Sequence, residues 1–96
     1  MSVLEVARLT VNDGAAEAFE ADFAKAHAYV VAAEGQIESS LTRVAGSENN
    51  YVFLVEWEHL EDHTERFAGS AAFGAFDALI GPHLAGAPSV EHFEKI

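Results

Sequence analysis

A chain of 96 residues holds one domain and leaves no room for a second. Half of its residues are apolar and 22% are charged, the balance of a folded globular chain. The absence of cysteine excludes disulfides and thiolate catalysis, and a net charge of −11 with only 5 Lys and Arg opposes binding to nucleic-acid phosphates or anionic membranes.

Residues 2–11 read as a strand, with Val3, Glu5, Ala7, Leu9 and Val11 on one face and Leu4, Val6, Arg8 and Thr10 on the other. Neither face is cleanly polar, so cover is expected on both sides. Asn12-Asp13-Gly14 reads as a turn and an N-cap signal. A helix is predicted from about Ala15 to Ala33, its apolar stripe formed by Phe19, Phe23, Ala26, Val30 and Ala33 and its end marked by Gly35. Residues 36–46 are expected to form a second strand, with Ile37, Leu41 and Arg43 on one face and Val44 on the other. The segment 46–50, Gly-Ser-Glu-Asn-Asn, supplies a hairpin loop.

Tyr51, Phe53, Val55 and Trp57 then alternate with Val52, Leu54, Glu56 and Glu58, the period-2 mark of a third strand. After Trp57 the period changes, and Leu60, Thr64 and Phe67 recur at helical spacing with His63 on the same flank. Gly69-Ser70 interrupts the run, and Ser70 caps a second helix with the inner stripe Phe73, Phe76 and Ile80. Gly81-Pro82 closes it, with the glycine expected in a left-handed cap. A loop over 83–88 leads into a final strand, 89–96, in which Val90, His92 and Glu94 alternate with Glu91, Phe93 and Lys95.

The predicted fold is therefore α+β: a ferredoxin-like β-α-β-β-α-β chain, its second helix broken, forming a single domain over residues 1–96. A four-stranded antiparallel sheet with helices on one face leaves the other bare, showing either Val52 and Leu54 or Phe53 and Val55. A homodimer with two sheets face to face, a dimeric α/β barrel, covers such a surface. No apolar run reaches the roughly 18 residues needed to span a bilayer, and the start Met-Ser-Val-Leu-Glu has no basic region before an apolar one. A cytoplasmic location is expected.

The first strand into Asn12-Asp13-Gly14, the run Trp57-Glu-His-Leu-Glu-Asp-His63-Thr, Phe67-Ala-Gly-Ser70-Ala-Ala-Phe73, Gly81-Pro82 and the closing Pro88-Ser-Val-Glu-His-Phe-Glu94 together resemble the antibiotic biosynthesis monooxygenase (ABM) family of dimeric α/β barrels. The resemblance covers essentially the whole chain. It implies one of three activities: oxygenation of quinols and aromatic polyketides without metal or flavin, haem opening, or isomerisation of small molecules. The haem-opening branch uses an Asn, a Trp and a His where this chain has Ala7, Phe67 and Asp77, which argues against that activity. The quinol-oxygenating branch often has a His at the position of Phe67, so a base here has to come from elsewhere, and His63 is the candidate.

A histidine at the rim of an apolar cavity, with an ordinary pKa near 6.5, can take a proton from a phenol or enol. Trp57, Phe67 and Phe76 are the candidate walls, Arg43 a candidate holder of a substrate oxyanion, and His83 a candidate at the pocket mouth. Each has a structural reading as well: core packing for the aromatics, a neighbouring carboxylate for Arg43, a backbone partner or helix cap for His63. His59 and His63 have zinc-compatible spacing, but Leu60 follows the first and Asp62 precedes the second where metalloprotease motifs need glutamate, so no metal is expected. His27 and His92 read as surface or sheet residues. The expected function is cofactor-independent monooxygenation of a small aromatic quinol or polyketide-like phenol by a homodimer. The alternative is a non-catalytic dimeric barrel that binds a small apolar ligand or a partner, with isomerisation of a small metabolite less favoured.

Overall fold

The structure is a computed structural model that describes residues 1–96. The alternation in the sequence becomes a sheet in the order β2-β3-β1-β4, built from β1 (Val3–Thr10), β2 (Gln36–Arg43), β3 (Asn50–Trp57) and β4 (Ser89–Glu94), every pairing antiparallel. Helices α1 (Ala16–Val31) and α2 (Ala71–Ile80) lie on the face that carries Val3, Glu5, Ala7 and Leu9 of β1 and Tyr51, Phe53, Val55 and Trp57 of β3. Phe23 sits edge-on to Phe53 at 4.9 Å and Phe19 lies 4.8 Å from the ring of Tyr51, so the stripe of α1 grips the middle of the sheet. Each buried Phe contributes about 2–3 kcal/mol from area removed from water.

The opposite face settles the alternatives left open by the alternation. Leu4, Val6, Val52 and Leu54 are half-buried there and Phe93 is 46% exposed, while Phe53 and Val55 are in the core. Within one chain, cover exists on one side only, not on both. No helix is long and apolar enough to cross a membrane.

Four local expectations need correction. The N-cap of α1 is Ala15, without a side-chain cap; Asp13 instead accepts a hydrogen bond from Asn49 Nδ2 at 2.6 Å, tying the turn to the β2–β3 hairpin. In β2 the register slips between Gln36 and Glu38, so Ile37 is the extra residue of a bulge, half exposed and off the face shared by Leu41 and Arg43. Gly81 has φ −53°, so it is no left-handed cap; the chain runs on into a 3-10 turn, Gly81–His83.

The fourth correction lies next to the site. Residues Asp62–Phe67 form a π-helical turn, with the Ala68 N–H donating to the His63 carbonyl at 3.0 Å. The wider winding buries residues five apart, Asp62 and Phe67, and turns Leu60 and Thr64 outward. Asp62 accepts from the His59 N–H at 3.1 Å and from Arg66 at 2.6 Å. Its carboxylate fills the space over Gly35, whose φ of +86° favours glycine and whose carbonyl accepts from the Glu58 N–H at 2.7 Å. Ser70 caps α2 as expected, its hydroxyl accepting from the Phe73 N–H at 3.2 Å.

A Cβ at Gly35 overlaps the Asp62 side chain and forces a left-handed backbone on an L-residue. Gly35→Ala should therefore destabilise the fold by about 3 kcal/mol, read as a lower urea midpoint with an unchanged slope. A midpoint within error of wild type would remove Asp62 as the clamp between these segments.

Candidate active site

Between the sheet and the break in the second helical segment lies a cavity of about 250 Å³. Phe53, Val55, Phe67, Phe76 and Ile80 make most of its wall. Glu5, His63 and Asp77 are its titratable lining residues, and no Lys or Arg reaches it.

Glu5 enters the cavity because strand parity turns it inward on β1, where it pairs in register with Val55 of β3 and His92 of β4. It is 6% exposed. The Trp57 indole satisfies it, Nε1–H donating to Oε1 at 2.9 Å. His63, in the first turn of the π segment, stacks on the same indole with ring centres 5.4 Å apart and planes 17° from parallel. Its Nδ1 lies 2.8 Å from Nε2 of His92, one of the two carrying the shared proton and the other accepting it. Its Nε2 stands 3.5 Å from Glu5 Oε1, long for a hydrogen bond.

Burial controls the charges. It pushes the Glu5 carboxyl up from its ordinary range, partly offset by the indole hydrogen bond. It also pushes His63 down to about 4, with the repulsion of a protonated His92 adding to the effect. At neutral pH His63 is therefore an uncharged imidazole and not the ion-pair partner of Glu5, although the two face each other. The ordinary value near 6.5 does not apply in this pocket.

Of the residues singled out from the sequence, the structure brings Trp57, His63, Phe67 and Phe76 to one cavity. Arg43 is elsewhere, 3.7 Å from Glu20 Oε2 beside a shallow recess over Tyr51. His83 is also outside the cavity. Its Nε2 is 2.7 Å from Asp22 Oδ2 on α1, a contact that holds the Asp22 carboxyl below its usual range, and its ring stands edge-on to Phe19. His27 bonds to Ser39 Oγ at 2.6 Å. His59 lines an outer groove while His63 lines the cavity, so the pair does not converge, and no group of three or more His, Asp or Glu is placed to hold a metal ion. Sequence reasoning missed Glu5 and the inward role of His92. The available signal was parity: Glu5 falls among Val3, Ala7 and Leu9, and His92 falls in step with Val90.

The His63 shift sets a pH signature. Its folded pKa lies below the unfolded value near 6.5, so the unfolded chain takes the proton first and His63's contribution, complete above 6.5, is lost as pH falls toward 4. The loss amounts to about 3 kcal/mol. Glu5 acts in the opposite sense, its raised folded pKa costing stability as pH rises above the ordinary carboxylate range. Urea midpoints of wild type and His63→Phe at pH 7, 5.5 and 4.5 should show a shallower acid loss in the variant; parallel profiles would mean that His63 protonates in the fold at an ordinary pH.

The model of the antibiotic biosynthesis monooxygenase family matches residues 2–79, which include Glu5, Trp57, His63, Phe67 and Phe76. The uncharacterized Bacillus subtilis protein YczJ is 37% identical over 94 residues, covering 98% of this chain and 99% of its own. A Bordetella bronchiseptica protein assigned to the antibiotic biosynthesis monooxygenases superposes with a TM-score of 0.94 at 30% identity, covering 99% of this chain and 97% of its own. SnoaB of Streptomyces nogalater, a cofactor-independent oxygenase, has a TM-score of 0.86 at 23% identity over 99% of this chain and 93% of its own, a likeness of fold. With a family model spanning most of the sequence and relatives aligned end to end, this chain belongs to the antibiotic biosynthesis monooxygenase family.

Proposed function

We propose that this protein is a cofactor-independent monooxygenase of small aromatic quinols or polyketide-like phenols, with His63 as the base. The observation that carries the reading is an imidazole lining a mainly apolar cavity, 3.5 Å from Glu5 and stacked on Trp57. A bound phenol gives its proton to His63, leaving an electron-rich anion that passes an electron to dioxygen. One oxygen atom is retained on carbon and the other leaves as water, the substrate supplying the electrons. Mainly apolar walls limit the water around the anion and its peroxide.

Magnitudes narrow the substrate. A plain phenol titrates near 10, about six units above His63, a gap of about 8 kcal/mol. Ionised Glu5 beside the new imidazolium offsets part of it. A phenol or enol conjugated with a carbonyl starts closer and fits the site better. The cavity, at about 250 Å³, falls just below the usual range for drug-sized ligands, which favours one or two rings. The low basicity of His63 also favours a second reading, a non-catalytic barrel that holds a small apolar ligand.

An oxygen electrode separates the two. With reduced naphthoquinols and anthrones, wild type should consume oxygen faster than buffer, and His63→Phe should lose about 10²-fold or more of that rate. Quenching of the single tryptophan by the same compounds without oxygen uptake would leave only the binding reading.

The bare sheet face is proposed to pack against a second copy. Leu4, Val6, Val52, Leu54 and Phe93 form an apolar surface that one chain leaves wet. Light scattering should give a homodimer, and Leu54→Lys should give a monomer that retains its far-ultraviolet spectrum. Wild type running as a monomer at micromolar concentration would sink the barrel assembly.

A further inference from the structure

The cavity has a second connection to solvent through side chains alone. His63 lines the cavity, and His92 lines an outer groove with Met1, Val3, His59 and Glu94; no residue lines both spaces. Between them stands the contact of 2.8 Å from His63 Nδ1 to His92 Nε2. The rings are 5.0 Å apart, close enough for a proton to cross without either side chain moving away. Resting on His63 as base, we propose that His92 is a positioning residue and the outlet of a two-imidazole proton route from the buried site to solvent.

The step balances as follows. The substrate O–H bond breaks and its electron pair stays on oxygen, while the proton bonds to His63 Nε2. The Nδ1–H of His63 breaks as His92 Nε2 gains a hydrogen. His92 Nδ1 releases its proton to water in the outer groove. No electron leaves the substrate in this step. When the reduced oxygen atom later needs a proton to depart as water, the reverse passage supplies it and restores both tautomers.

The groups around the route suit this task. Glu5 and Trp57 meet His63 from the sheet, and Asp62, its neighbour in sequence, is turned away toward Arg66 and Gly35. His59, Glu61 and Glu94 surround His92 in the groove, offering polar groups for the water that takes the proton. The cavity's own walls are mainly apolar, with Asp77 the other carboxylate among them. A merely repulsive role for His92 predicts the opposite behaviour. In that role His92 only opposes a proton on His63, so its removal makes His63 the stronger base.

A nitrophenol provides a test that needs no oxygen chemistry. In stopped flow, the phenolate band reports proton loss inside the cavity and a dye in solution reports arrival outside. Wild type should show both at one rate. His92→Phe and His92→Gln should bind the nitrophenol with wild-type affinity, slow both signals at least tenfold, and recover with millimolar imidazole. Unchanged or faster signals in both variants, or a loss that imidazole does not restore, would overturn the route and leave His63 as base intact. No phenolate band in wild type would overturn both the route and the base.

Discussion

A carboxylic acid in the middle of the central strand has to be satisfied without water, and the site is built around that requirement. Glu5 is 6% exposed between Val3 and Ala7, where an unpartnered acid would cost several kcal/mol. The only indole in the chain meets it. Using Trp57 as the donor fixes the plane of that ring, and a fixed plane gives His63 a surface to stack on. The polar floor of the cavity is thus one connected set, in which the acid holds the indole, the indole orients the imidazole, and His92 holds the far nitrogen.

The second helical segment has to break to make room for this. An uninterrupted α-helix after Trp57 places buried residues three and four apart. The π turn places them five apart, sending Asp62 into the Gly35 joint and Phe67 into the aromatic core, with His63 beside the cavity. Phe67 meets Phe73 and Phe76 edge-on at 5.8 and 6.1 Å, so α2 resumes against the break and walls the space on that side.

These facts explain what was legible in the sequence and what was not. The alternation of β1 and β3 and the helical spacing after Trp57 are local signals, and together they led to the correct element order and to Trp57, Phe67 and Phe76 around one cavity. His63 was visible because few residue types do proton chemistry near neutral pH. Glu5 was hidden by its neighbours, since parity alone does not say whether an inward acid is a tolerated edge residue or a partnered core one. His92 was hidden by distance: its approach to Glu5 depends on the pairing of β1 with β4, residues 87 positions apart in the chain. The bulge at Ile37 and the π turn escaped because both break the periods by which strands and helices are read. Arg43 and His83 show the converse error, where a rare basic or polar residue near the expected pocket is used up by Glu20 or Asp22.

Family membership leaves the reaction open because the scaffold fixes a cavity under the helices and not the groups that point into it. Here the chain answers with burial. Burial makes His63 a weak base and Glu5 a reluctant anion, and each shift alone weakens proton abstraction. With His63 uncharged, the empty site holds no imidazolium–carboxylate pair for an apolar substrate to displace. In the proposed reaction the imidazolium arises only when a proton moves, beside a carboxyl already in place. The proposed base therefore suits molecules that arrive with an acidic hydrogen and a conjugated ring to spread the charge left behind.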